Sequence, residues 1–246
     1  MHTSELAREA IKHSGSYRFA DHIYENKPKG KFVVGRILDA VLLMLPSSRS
    51  FRMRYIYGKE EMHRVIDERS DNSNDETIDI LAVPSGLGRE LFEVAHEVTD
   101  VNNTAQKPLR LWGLDLDEDV VAHTNARAKR ETVQISFLHG DALDDASYPL
   151  KYDMILSTGF TDFLDDADTE LFYRLLRGKL KPGGVLVTSG MLPHRLSAYL
   201  MENLAELTAS YRSEENLHRL AKHAGYESIK SYKDPTGLQT MLIAKQ

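Results

Sequence analysis

The chain contains no cysteine. That absence excludes disulfides, cysteine nucleophiles, thiolate metal sites and iron–sulfur clusters together. An excess of positive charge is missing as well: 31 Lys and Arg stand against 37 Asp and Glu, a formal net charge of −6. Non-specific nucleic-acid binding normally needs a basic face, so no nucleic-acid partner is expected. Long apolar runs are missing too. The longest, Ile37 to Pro46, is interrupted by Asp39 and falls far short of the ~20 residues of a membrane span. No stable membrane insertion is expected. With no secretory leader read at the N-terminus, the cytoplasm is the expected compartment. No His or acid cluster has metal-ligand spacing, so no metal is expected either.

What is present suits a soluble protein with a real core: 246 residues, 41% hydrophobic and 28% charged. One compositional boundary stands out, the polar, turn-rich Glu68 to Glu76. It suggests a helical N-terminal cap over residues 1–70 and a core over 71–246. In the cap, Leu38, Val41, Leu42 and Leu45 share a helical face, and Pro46-Ser47-Ser48 interrupts before a second helix with Ile56, Met62 and Ile66. Basic residues gather here: Lys27, Lys29, Lys31, Arg36, Arg49, Arg52 and Arg54, with Asp39 the single acid among them.

Beyond the boundary, short β-type runs alternate with amphipathic stretches. Strands are expected at Ile78–Val83, Leu109–Leu114, Val133–Leu138, Tyr152–Leu156 and Val185–Val187. Helices are expected near Arg89–Val98, Asp117–Ala128 and Asp168–Leu180, the last with Leu171, Phe172, Leu175 and Leu176 inward. Such alternation implies parallel pairing with right-handed crossovers, hence an α/β fold with a doubly wound, Rossmann-like sheet. The end of the chain differs. A Ser213-capped helix stopped by Gly225 leads to strands Ser228–Tyr232 and Gln239–Ala244 around Asp234-Pro235-Thr236-Gly237, an antiparallel hairpin that brings the sheet to seven strands.

The segment Val83-Pro84-Ser85-Gly86-Leu87-Gly88-Arg89 carries a strand through glycines into a helix. Glycines let the backbone approach a ligand, and a helix N-terminus offers free N–H groups. Alone, this is also what a plain strand–helix turn looks like. Asp115 ends the second strand, where a carboxylate can accept both ribose hydroxyls, with Leu116 beside it; Asp117 reads as the helix cap. Asp141 follows the third strand, beside Ala142, where a carboxylate can accept from an adenine amino group. Each aspartate by itself reads equally as a capping residue. Three successive strand ends bearing the right groups point to one nucleoside at the switch point of the sheet. Leu91 stands where dinucleotide sites place a third Gly or Ala, which counts against a nicotinamide-dependent oxidoreductase.

In order and spacing, Ser85-Gly86-Leu87-Gly88, Gly113-Leu114-Asp115, Gly140-Asp141-Ala142, Tyr152-Asp153-Met154-Ile155, Leu180-Lys181-Pro182-Gly183-Gly184 and Ala224-Gly225-Tyr226 resemble a class I S-adenosylmethionine-dependent methyltransferase from about Thr77 to Lys245. The resemblance implies S-adenosylmethionine as cofactor, with Gly86 and Gly88 on its methionine half, Asp115 on ribose and Asp141 at adenine. It departs at two positions: Pro84 replaces the first loop glycine, and Ala82 the acid before the loop. Carbonyls near Ser157, Thr158 or Gly159 would then serve the methionine ammonium, and Arg89 could reach the carboxylate or remain a solvated first-turn arginine. These departures leave a non-catalytic cofactor-binding module as a further reading. A narrower likeness, carried by Leu156-Ser157-Thr158-Gly159-Phe160-Thr161-Asp162-Phe163-Leu164 with Met201-Glu202 and Tyr211-Arg212, is to bacterial methyltransferases of fatty-acid methyl ester signals. It implies a fatty-acid-like acceptor. The leading reading is a methyltransferase for a small or lipid-like molecule, with O-methylation of a hydroxyl or carboxylate favoured and a homodimer allowed.

Methyl transfer is an in-line displacement, so positioning supplies most of the catalysis. A hydroxyl acceptor also needs a base, whereas a carboxylate is already ionised near neutral pH. Candidates facing the methyl are Asp162, His194, Glu202, Tyr211 and Arg212. His194 reads as a base or an ordinary surface residue. Arg212 reads as a partner for an acceptor carboxylate or a structural ion pair. From the cap, Tyr17, Arg18, Phe19, Tyr55 and Tyr57 are candidates to line the acceptor pocket or simply to pack. The basic, apolar Lys27–Arg54 stretch suits a lid helix, an anionic amphipathic acceptor or a membrane surface.

Overall fold

The structure, a computed structural model, describes residues 4–12, 17–72, 76–100, 107–192 and 209–246. Four helices come first: α1 (Glu5–Lys12), α2 (Tyr17–Glu25), α3 (Phe32–Met44) and α4 (Pro46–Asn72). The alternating part follows as β1 (Ile78–Ala82), α5 (Arg89–Asp100), β2 (Leu109–Asp115), α6 (Glu118–Glu131), β3 (Ile135–His139), β4 (Tyr152–Ser157), α7 (Asp166–Gly178) and β5 (Leu180–Met191). Helix α8 (Glu214–His223) and the hairpin β6 (Ser228–Lys233) and β7 (Gln239–Lys245) close the chain. The seven-stranded sheet has the order β3-β2-β1-β4-β5-β7-β6. The first five strands pair in parallel, and β7 runs antiparallel to both β5 and β6. This is the doubly wound sheet with a terminal hairpin expected from the alternation.

Every residue of β1 and β4 is buried, as central parallel strands covered on both faces must be. Alternation along β1 divides the core. Ile78, Ile80 and Ala82 point to a layer with Met62, Val65 and Ile66 of α4 and Phe92 of α5. Leu81 and Val83 join Phe172, Tyr173 and Leu176 of α7 and Leu217 of α8 on the other side. Helix α4 therefore runs unbroken across the compositional boundary at residue 70, and its C-terminal half belongs to the sheet's own helical layer.

Local signals set several ends. Asp117 caps α6 by accepting from the Asp119 and Val120 amides at 3.0 and 3.2 Å, and Ser213 caps α8 through the Asn216 amide at 3.2 Å. The inward face expected on α7 is corrected, and the apolar face shared along α3 is split between solvent and protein. On α7, Leu171 is exposed, and Thr169, Phe172, Tyr173 and Leu176 are buried. On α3, Leu38 and Val41 face outward, while Gly35, Asp39 and Leu43 face inward. Asp39 decides this. Its carboxylate accepts from Ser4 Oγ at 2.5 Å and from the Leu6 and Lys29 amides at 3.3 and 3.0 Å, and so draws its side of the helix into the protein.

At the start of β1, the end of the sheet away from the glycine loop, Asp79 and Asp153 are buried together. Lys181 Nζ donates to both, at 3.0 and 2.7 Å, and Arg110 Nε donates to Asp79 at 2.7 Å. Burial alone would raise the Asp79 carboxyl, but hydrogen bonds from Arg110, Lys181 and Trp112 hold it below the usual carboxylate value. A lowered folded-state value stabilises the fold above the unfolded value, near pH 4, and that stability is lost as pH falls through the folded one. Lys181→Met is expected to cost about 2 kcal/mol at neutral pH. It should also move the acid-unfolding midpoint, followed by circular dichroism, to higher pH. Among the described residues, no helix is long and apolar enough to cross a membrane.

Candidate functional site

The chain leaves β1 through a cis Val83–Pro84 peptide and returns as α5 at Arg89. Gly88 has φ +57°, and a Cβ there would lie 2.6 Å from the Phe137 ring, so only glycine lets the loop sit down on β3. The loop is tied to the neighbouring strand at two points. The Ser85 amide donates to the Leu114 carbonyl at 2.8 Å, and the Gly86 amide donates to Asp115 Oδ2 at 2.7 Å. Asp115 Oδ1 accepts from the Asp117 amide at 3.1 Å. Each carboxylate oxygen thus makes one backbone bond and retains a lone pair. Asp141, after β3, accepts from its own turn through the Leu143 amide at 2.9 Å.

These strand ends open on one cavity of about 490 Å³, within the range of small-molecule sites. One part is walled by Gly86, Asp115, Leu116, Gly140, Asp141 and Ala142. Another is walled by Glu90, Gly159 and Asp162 from the core and by Tyr24, Arg54 and Tyr55 from the N-terminal helices. Pro84, Ser85, Gly88, Arg89 and Thr158 also line it.

The second part is electrostatically unusual. Arg54, from α4, is buried, with one Nη donating to Tyr24 Oη at 3.0 Å and the other 3.9 Å from Asp162 Oδ2. Its Nε has no hydrogen-bond partner among the described residues, and its guanidinium lies 4.4 Å from the Phe51 ring centroid. Gly159 has φ +84°, and a Cβ there would fall 2.4 Å from Arg54 Nη1. Burial pushes the Asp162 carboxyl up to about 6, although Arg54, the Met191 amide and Arg212 pull it back. Burial likewise pushes Glu90 up to about 7, with its own backbone amide and Arg54 opposing. A buried cation with an unused donor, beside Asp162 and on the same cavity wall as Glu90, is a site prepared for a charged or strongly polar group.

Residues 6–246 match the protein family described as "Putative methyltransferase". The chain belongs to this family. No curated protein matches it in sequence. Among solved structures, the methyltransferase is similar to a "possible exported protein" of Bordetella parapertussis (TM-score 0.74, 19% identity, 94% of this chain and 79% of that one). It is also similar to the magnesium protoporphyrin IX methyltransferase of Synechocystis, solved with bound SAH (TM-score 0.60, 13% identity, 98% of this chain and 100% of that one). A third is human N-acetylserotonin methyltransferase in complex with SAM (TM-score 0.56, 15% identity, 92% of this chain), of which the methyltransferase spans 65%. At these identities the likeness is one of fold.

Of the residues singled out in the sequence, Pro84, Ser85, Gly86, Gly88, Arg89, Asp115, Leu116, Asp141, Ala142, Thr158, Gly159 and Asp162 come together around the cavity. Ser157 does not; it is the last residue of β4 and buried within the sheet. Arg89 is corrected in its partner. Its guanidinium pairs with Asp21 at 2.7 Å and Glu25 at 3.4 Å, joining the glycine loop to α2. Arg212 is corrected in its place. It is buried outside the cavity wall, donating to the Thr161 and Leu164 carbonyls at 2.6 Å each and to Asp166 at 2.9 Å, and so clamps the segment after β4. Tyr211 does not line the cavity. His194, Met201 and Glu202, and the side chain of Tyr17, lie outside the described residues. Phe19 and Tyr55 do line the cavity, whereas Arg18 is exposed and Tyr57 packs edge-on against Tyr232 with centroids 5.1 Å apart. Tyr24, Arg54 and Glu90 also line the cavity, and none of them stood out in the sequence as a site residue. Only Arg54 carried a signal, its place among the clustered cations of the cap.

Proposed function

We propose that the protein is an S-adenosylmethionine-dependent O-methyltransferase for a small or lipid-like acceptor, with a carboxylate favoured over a hydroxyl. The observation that carries the cofactor reading is the convergence of the glycine loop, Asp115 and Asp141 on one cavity. The residues fit the group: Asp115 keeps a lone pair on each oxygen for two vicinal hydroxyls, Leu116 and Ala142 supply apolar walls for a base, and Asp141 stands at the third strand end. Glu90 stands in for the acid that Ala82 lacks and faces the methionine ammonium. When bound, S-adenosylmethionine supplies an electrophilic methyl group to the acceptor.

Arg54 supports the choice of acceptor. Its buried, unpartnered Nε would receive a carboxylate oxygen, and an ionised carboxylate needs no base to attack. Asp162 accepts the Met191 amide at 3.2 Å and stands beside Arg54, where it orients the guanidinium. The N-terminal helices α2 and α4 act as a lid, pinned by the Arg89–Asp21 pair, which excludes water from the reacting atoms. A nicotinamide cofactor is disfavoured by Leu91, which is wholly buried in the core where a small residue would be needed.

Isothermal titration calorimetry of the full chain tests the cofactor: saturable binding of S-adenosylmethionine with no binding of NADH is expected. Tight NADH binding without S-adenosylmethionine binding would overturn the reading. Transfer of labelled methyl to medium-chain hydroxy acids, giving a base-labile ester, tests the acceptor; a base-stable ether would reassign it to a hydroxyl.

A further inference from the structure

Helix α3 turns one side into the protein and an apolar side outward. The inward side, Gly35, Asp39 and Leu43, packs against α1 and α4. The outward side is a stripe at helical spacing, Val33, Ile37, Val41 and Met44, exposed at 73, 58, 55 and 80%. Phe32 and Val34 extend the stripe at its start, and both are also largely exposed. Large side chains contiguous on a helix surface mark a face that something covers.

The charge around the stripe says what kind of surface that is. Lys27, Lys31, Arg36 and Arg49, on α3 or in the segments that flank it in the chain, are all exposed. From residue 26 to residue 59 the one acid is Asp39, and it is buried. This face is cationic in a chain of net charge −6. A second copy placed on it by a two-fold axis would set these cations against their own counterparts, with no exposed acid in the stretch to pair them. An anionic bilayer supplies both partners, headgroup charge for the cations and acyl chains for the stripe. The 13-residue helix is too short to span a bilayer but suited to lying in its surface.

We propose that α3 docks the protein reversibly on an anionic lipid surface. Helices α2 and α4, on either side of it in the chain, both contribute walls to the cavity, so docking holds that cavity beside the lipid–water boundary. Docking through this face requires nothing of the cofactor site.

Co-sedimentation of the full chain with phosphatidylglycerol-containing and pure phosphatidylcholine vesicles tests it. Binding to the anionic vesicles alone is expected, weakening as salt rises. Ile37→Glu/Val41→Glu, at exposed positions that leave the fold intact, should lower binding at least tenfold. Lys31→Glu/Arg36→Glu should weaken it about fivefold for each charge removed. Circular dichroism and the thermal midpoint of both variants should match those of the parent, which separates lost docking from misfolding. Equal binding to both vesicle types, or none to either, would overturn the proposal. So would a concentration-dependent dimer in sedimentation velocity that Ile37→Glu/Val41→Glu abolishes, because a second copy would then cover the stripe.

Discussion

Arg54→Met should cost about 3 kcal/mol in urea unfolding at pH 8, because it removes the cation beside a buried carboxylate. Asp162 has Arg54 on one side and the Met191 amide on the other. With the guanidinium gone, burial dominates and the carboxyl of Asp162 moves above its present value of about 6. A carboxyl whose folded value is raised binds more protons in the native state than in the unfolded one, so its unfavourable effect grows as pH rises through the interval between the two values. The penalty of Arg54→Met should therefore be largest above pH 7 and shrink toward pH 5, where Asp162 is protonated and no charge is orphaned. Urea titrations at several pH values check this. A penalty independent of pH would mean that Arg54 contributes by packing on Phe51 rather than by charge. On the proposed function, the variant also loses the donor for the acceptor and should retain cofactor binding better than turnover.

Asp115→Ala is expected to weaken S-adenosylmethionine binding by about 3 kcal/mol, roughly 150-fold. The carboxylate has two duties. It accepts the Gly86 amide at 2.7 Å and holds the glycine loop against β2, and it keeps lone pairs for a ligand's hydroxyls. Asp115→Asn separates the two, since its amide oxygen can still accept the Gly86 amide while one acceptor becomes a donor. Calorimetry should place Asn between the parent and Ala. Parent-like affinity in both variants would remove Asp115 from the site.

Much of this was legible in the sequence because the signals were local. The alternation of β-type runs and amphipathic helices specifies a doubly wound sheet, and the groups at the ends of β1, β2 and β3 face one crevice because parallel strands end on the same side. Asp117 and Ser213 announce their helix starts through bonds spanning two or three residues. Arg212 shows where local reading stops. As a motif residue near the site it could pair with a ligand or with the protein, and carbonyls some fifty positions earlier in the chain take its donors.

By itself, then, the sequence determined the fold class, the glycine loop and the carboxylates of the crevice, each written in residues close together along the chain. Tertiary structure alone decided that Arg54 and Tyr24 enter the cavity from the N-terminal helices, that Glu90 is held back from ionising, and that α3 turns Asp39 inward and its longer apolar stripe out. The physical reason is common to all of these. Helical periodicity specifies which residues share a face but not which face meets the core, and that choice is made by partners distant in the chain, here Ser4 on Asp39 and Asp162 beside Arg54.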